Sequence, residues 1–252
     1  MVQLFSAGFP PTSSADEDGF LCHGGTLAVP ALLAAYSKGI FPWFSQGEPI
    51  LWWTLAPRCV LLPEQYHLPR RAARKQASMP FVITLDTAFD QVLDGCANRN
   101  ETWLTQDIHT AYSRMFRLGF AHSVEAWLDG ELVGGLYGIA IGRAFFGESM
   151  FHTVSEASRA CLKALTGLLR LRGIVLLDCQ QQTQHIMMQG GIMLERDDFE
   201  GRLSQALALA PASDDALTLE YEGDPDLRKE YWPYLPWQQR YIHKDGAWQA
   251  LP

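Results

Sequence analysis

"AHSVEAWLDGELVGGLYGIAIGRAFFGESMF", residues 121–151, is the stretch on which the fold turns. It holds three β-like runs. Asp129-Gly130 separates the first two and is a strong hairpin signal, and a turn around Gly142 separates the second and third. "SEASRACLKALTGLLRLRG" (155–173) then reads as a long helix with a glycine stop, and "IVLLDCQ" (174–180) as a buried strand. "QTQHIMMQGG" (182–191) reads as a short helix. An antiparallel meander followed by helix, strand and helix is the second half of an α+β domain.

Upstream, "VPALLAAYSKG" (29–39) predicts a short helix, with Pro30 in its first turn and Gly39 after its end. "RCVLL" (58–62) and "FVITL" (81–85) predict strands. "LPRRAARKQA" (68–77) predicts a helix with Arg70, Arg71, Arg74 and Lys75 on one face. Asp86 is expected to cap a helix running to about Ala97, and Thr105 another running to about Leu118. Residues 1–20 read as a loose arm, and the pattern changes near residues 98–104. The stretch after about Leu203 reads as linker with a possible strand and carries no functional reading.

The chain has 252 residues, 48% of them hydrophobic and 19% charged, which suffices for a large core. No apolar run reaches the length of a membrane span, and no secretion signal is read at the N-terminus, so the expected compartment is cytoplasmic. Five scattered cysteines without a CxxC argue against a disulfide framework or a zinc site. The net charge of −8 argues against a broad nucleic-acid footprint. Residues 195–226 account for all of that charge, however, so a local basic patch elsewhere stays open.

Three stretches can carry chemistry. "GIFPWFSQGEPILWW" (39–53) crowds two Phe and three Trp onto a segment broken by Pro and Gly. It is either a core cluster under a loop or the wall of a ligand pocket, with Trp103 of "ETWLT" (101–105) as a candidate opposite wall. "FFGESMF" (145–151) sets Glu148 among aromatic residues and Met. A carboxylate there needs a partner, either the protein itself (a backbone amide, Arg143 or Arg159) or a substrate cation or amine. "LLDCQ" (176–180) ends an apolar strand with Asp178 and Gln180 at period two. One of them caps the next helix, or the Asp carboxylate orients the Gln amide. No GxSxG, HExxH or GxxxxGK[ST] occurs, and the histidines show no metal spacing.

In this order, "GIFPWFSQGEPILWW", "ETWLT", "GLYGIAIGRAFFGESMF" and "DCQ" resemble the leucyl/phenylalanyl-tRNA–protein transferase family, from "HGGTL" (23–27) to "DDFEGRL" (197–203). The resemblance implies a small N-terminal α/β domain (1–98) with the aromatic loop and basic helix. A GNAT-like catalytic domain (99–205) and a C-terminal extension (206–252) would follow. It implies that Leu or Phe, and weakly Met, passes from aminoacyl-tRNA to the N-terminal Arg or Lys of a protein, marking it for degradation. It further implies a monomer without cofactor or metal. Trp43, Trp103, Tyr112, Phe145 and Glu148 match the family's substrate-binding positions. Leu165 stands at a pocket position where an aromatic residue is implied. Asp178 and Gln180 match the proposed catalytic pair, and Arg70, Arg71, Arg74 and Lys75 match a basic helix near the tRNA. The rival readings are a CoA-dependent acyltransferase and a non-catalytic peptide-binding module. The helix opening "SEASRA" lacks the glycine run of a CoA pyrophosphate site.

Overall fold

A computed structural model of the protein describes residues 3–4, 8–98, 104–208, 241–244 and 247–250. Its first part is a four-stranded sheet of β1 (Gln3–Leu4), β2 (Phe20–Gly24), β3 (Phe41–Pro42) and β4 (Leu51–Trp53), in the order β1-β2-β4-β3. The helix α1 (Val29–Tyr36) joins β2 to β3, and Gly39 beyond it has a φ of +71°. Most of the expected loose arm is held down. The Phe9 ring packs edge-on against Trp52 at 4.8 Å, and Thr12 Oγ1 donates to Glu200 at 2.5 Å. The polar composition of this segment hid two anchoring aromatics, Phe9 and Phe20, the second of which packs on Trp53.

Then follow β5 (Arg58–Leu61), α2 (Arg70–Ala77), β6 (Val82–Leu85), α3 (Phe89–Ala97) and α4 (Gln106–Arg117). The meander is β7 (Ala121–Leu128), β8 (Glu131–Ile141) and β9 (Ala144–His152). It leads through α5 (Ala157–Leu171) to β10 (Leu176–Gln180), then to α6 (Gln184–Met187), β11 (Gly191–Leu194) and α7 (Arg196–Ala208). A late pair, β12 (Tyr241–Lys244) and β13 (Ala247–Ala250), completes the order.

These strands form one nine-stranded mixed sheet in the order β11-β5-β10-β9-β8-β7-β6-β12-β13, so the fold is α+β. The Asp129-Gly130 turn has both residues at positive φ, +51° and +85°, which matches the twist of the strands it joins. β10 lies parallel to β9, with Leu177 opposite Phe145, and a parallel pair requires a crossover such as α5. β8 needs bare backbone at two successive positions. A Cβ at Gly134 would stand 2.6 Å from Ala157 Cβ on α5, and one at Gly135 would stand 2.8 Å from Val92 on α3. Neighbouring strand residues point to opposite faces, so α5 and α3 cover the two sides of the sheet.

Thr105 caps α4, accepting from the Ile108 N–H at 3.3 Å. Asp86 does not cap α3, which starts after Ala88. Its carboxylate instead binds the Ser123 N–H and His122 Nδ1, both at 2.8 Å, and so ties the end of β6 to β7. Strands from both sides of residues 98–104 pair in the large sheet, because β5 and β6 precede that break and lie beside β10 and β7. Residues 196–208, where linker was expected from about Leu203, form α7, which buries Phe199, Leu203 and Ala206.

Candidate active site

The aromatic segment divides its rings between two jobs. Trp52 is fully buried and donates Nε1–H to the Gly24 carbonyl at 2.8 Å, and Phe44 joins it in the core. Trp43 is 38% exposed. Its carbonyl accepts from Trp53 Nε1 at 2.7 Å, and its ring lies 5.5 Å from that of Trp53. Phe41, Pro42 and Trp43 form one wall of a cavity of about 780 Å³, within the range of small-molecule sites. Core cluster and pocket wall are therefore both present, in alternate parts of one stretch. Trp103 lies outside the described residues.

Leu136, Met150, Phe151, Leu162 and Leu165 are among the apolar residues that line the cavity. Glu148, Gln180, Thr183 and His185 add polar groups to the lining. Leu165, on α5, is almost wholly buried against it. Phe145 is fully buried and stands outside the lining. Tyr112 is also buried and stands outside the lining, touching two residues of it, Glu148 by a hydrogen bond and Tyr137 by an edge-on ring contact.

Glu148, on β9, has neither of the arginines considered for it. Arg143 Nε donates to the Gly173 carbonyl, and Arg159 binds Glu156 at 2.9 and 3.1 Å. Its partner is instead Tyr112, whose hydroxyl donates to Oε2 at 3.0 Å and is itself hydrogen-bonded to the Tyr36 hydroxyl. Oε1 is buried without a partner. Burial pushes the carboxyl up to about 7, against the opposing pull of the two tyrosines. An unfolded Glu titrates near 4.3. The folded state therefore holds a proton that the unfolded chain releases between those values. This group's contribution to stability is full below the unfolded pKa and is lost as pH rises through about 7.

Asp178 and Gln180 do not form the expected side-chain pair. The β10–β5 register slips between them, from Asp178 opposite Val60 to Gln180 opposite Cys59, and Gln180 has a φ of +51°. A bulge redirects a side chain, so period-two reasoning fails here. The Asp178 carboxylate is fully buried. It accepts from Arg58 Nε at 2.8 Å and Nη2 at 2.7 Å, and Oδ1 also takes the Gln180 backbone N–H at 2.9 Å. A left-handed residue other than Gly costs about 1–2 kcal/mol. The carboxylate bond to its N–H helps to offset that strain. Gln180 is 9% exposed and lines the cavity, and its side-chain Nε2 has no partner. Neither residue caps α6, because Thr183 does so through the Ile186 N–H at 3.2 Å.

Arg58 went unnoticed in the sequence, where it is the first residue of an apolar strand. A cation opening such a strand was the available signal. Arg70, Arg71, Arg74 and Lys75 are all exposed on α2. Lys75 Nζ donates to Ser155 Oγ at 2.7 Å and lies 3.5 Å from Glu156. That contact ties α2 to the turn before α5, next to Thr153 and Ser158 of the cavity rim. Among the described residues no three His, Cys, Asp or Glu side chains gather as metal ligands, and no helix is long and apolar enough to cross a membrane.

The fold is thus an α+β one with a cavity lined by aromatic and apolar residues together with the Glu148 carboxyl and the Gln180 amide. The family model described as leucyl/phenylalanyl-tRNA protein transferase matches residues 60–204, and that of its N-terminal domain matches residues 25–55. Similar curated proteins carry the name leucyl/phenylalanyl-tRNA–protein transferase. One from Saccharophagus degradans is 48% identical, covering 81% of this chain and 86% of its own. One from Lawsonia intracellularis is 44% identical over 79% and 90%, and one from an Azoarcus species is 49% identical over 76% and 84%. The chain belongs to the leucyl/phenylalanyl-tRNA protein transferase family.

Proposed function

We propose that the protein transfers Leu or Phe from aminoacyl-tRNA to the N-terminal Arg or Lys of acceptor proteins, marking them for degradation. One observation carries the reading: a cavity lined by apolar and aromatic residues whose polar groups include two buried, unpartnered atoms, Glu148 Oε1 and Gln180 Nε2. The cationic side chain of the acceptor's N-terminal Arg or Lys supplies the donor that the first lacks, and an ester carbonyl the acceptor that the second lacks. The same reading has the enzyme act in the cytoplasm, as a monomer and without a cofactor. The direct test is transfer of labelled Leu or Phe from charged tRNA to an Arg-starting peptide. An absence of labelled peptide overturns it.

The ester is already activated, so the protein's task is to hold amine and ester together, worth up to roughly 7–11 kcal/mol in ideal cases. The α-amine has an ordinary pKa of about 7.7–8.0, so part of it is neutral at pH 7 and no strong base is needed. Its nitrogen attacks the ester carbonyl carbon, the new C–N bond forms, and the C–O bond to the ribose breaks. The amine's proton ends on the released ribose hydroxyl, directly or through water. Gln180 holds the amine through Oε1 and the carbonyl oxygen through Nε2, and Asp178 acts behind it through the main chain. Leu and Phe are unbranched at Cβ, unlike Ile and Val, and a wall stiffened by Pro42 beside Trp43 selects on that shape. One methylene is worth only about 1–3 kcal/mol in such a pocket, so Met is used weakly.

Glu148 faces the cationic acceptor in this scheme. Its carboxyl titrates at about 7, so the KM for an Arg-starting peptide falls as pH rises through that value and the carboxylate forms. Glu148→Gln removes that pH dependence and lowers kcat/KM for the peptide about 10- to 100-fold, the worth of a charge-assisted bond. Competition among Arg-, Lys- and Ala-starting peptides checks it. A variant that keeps the full preference assigns Glu148 elsewhere.

The exposed cations of α2 are the proposed tRNA contact. With about 0.7 of log–log slope per phosphate on single-strand-like RNA, replacing Arg70, Arg71, Arg74 and Lys75 by Ala removes roughly 2–3 units of salt slope. Binding titrations of charged tRNA at several salt concentrations measure it, and an unchanged slope excludes the helix.

A further inference from the structure

Arg58 sits where strand packing alone gives no reason for a cation. It opens β5 and is fully buried. Its guanidinium carbon lies 4.8 Å from the ring centre of Phe41 on β3 and 4.8 Å from that of Phe199 on α7. Between the two rings it meets Asp178 with both arms of its fork, and the same carboxylate holds the Gln180 backbone N–H. A buried ion pair is weak evidence for stability, because apolar side chains of similar volume hold two strands together as well. Direction is what the pair alone supplies. A planar fork fixes both carboxylate oxygens, and the oxygen that takes Arg58 Nε also fixes the bulge.

We propose that Arg58 is a positioning residue for the transfer: clamped between Phe41 and Phe199, it sets the Asp178 carboxylate so that Gln180 keeps its left-handed turn and aims its amide into the cavity. The proposal rests on the transferase reading. The clamp also joins the two sides of the site, because Phe41 lines the cavity beside Trp43 while Gln180 faces it from β10. The aromatic wall and the reacting amide are held at one separation by a single buried cation.

Arg58→Lys is the informative variant. It keeps the charge opposite Asp178, but one ammonium cannot fork across both oxygens. The variant is expected to unfold cooperatively and to keep KM for charged tRNA and peptide, while kcat falls about 10- to 100-fold, as for a small misplacement of a reacting group. Hydrogen exchange at the Gln180 amide is expected to quicken by about tenfold or more as its bond to Asp178 loosens. In a Gln180→Ala background the same substitution is expected to cost less than about twofold, because its effect runs through Gln180. A merely structural role would add its full cost in that background. Phe199→Leu removes one ring and spares the ion pair. It is expected to show a smaller fall in kcat with the same non-additivity, and it decides the matter if Arg58→Lys does not fold. An unchanged kcat, or a full loss repeated on Gln180→Ala, overturns the proposal. A wild-type protein that transfers nothing sinks the transferase reading alone, and the exchange comparison then decides whether Arg58 holds Gln180.

Discussion

Gln180→Ala is expected to lower kcat for transfer about 10²- to 10³-fold, the usual cost of removing one preorganised donor from a reacting centre. KM for tRNA and peptide should stay nearly unchanged, because the aromatic wall and Glu148 are untouched. The fold should survive, since the side chain's Nε2 makes no bond that the fold would lose. Gln180→Glu sharpens the test. It nearly preserves shape and acceptor but removes the donor and adds a charge to the cavity that Glu148 also lines. If turnover is limited by amide orientation, this variant is as slow as the alanine one. Normal turnover in Gln180→Glu would show that the amide's donor is dispensable and would remove the Nε2 contact to the ester carbonyl from the mechanism, leaving Gln180 only its acceptor role.

The second large effect is on stability. Asp178→Ala leaves the Arg58 guanidinium buried with no counter-charge. Breaking such a pair costs about 3–5 kcal/mol. At roughly 2–4 °C per kcal/mol for a chain of this size, the melting temperature should drop by about 10 °C. Replacing both partners with apolar residues, Arg58→Met with Asp178→Leu, should recover most of that loss but no turnover. Calorimetry and the transfer assay on the same three proteins separate the two outcomes. An Asp178→Ala protein as stable as the parent would mean that solvent reaches Arg58.

The meander, its two turns and the crossover helix were legible because each rests on local chemistry. Asp129-Gly130 permits positive φ at both turn positions, and the apolar period of 155–173 matches one buried helix face. Thr105 was legible as a cap for the same reason. Asp86 looked like a cap and is a strand tie, because its partners His122 and Ser123 arrive from far along the chain. The short strands β3 and β4 were hidden by Pro and Gly. Their pairing depends on β2, which lies in a segment that reads as polar. At the site, residue identities were legible but their bonding was not. A bulge of one residue turned the Asp178–Gln180 relation from side chain to main chain, and the arginine that holds both lay in a strand with no motif around it.

The Arg58–Asp178 bond spans 120 residues of chain. Synthesis proceeds at about 5–20 residues per second, so Asp178 leaves the ribosome roughly 6–24 s after its partner. For that interval Cys59, Val60 and Leu61, each fully buried in the finished protein, belong to a nascent strand with neither neighbour yet made. The corner that would perform the chemistry is thus among the last parts of the molecule to assemble, and the growing polypeptide must be shielded from misassociation until it does.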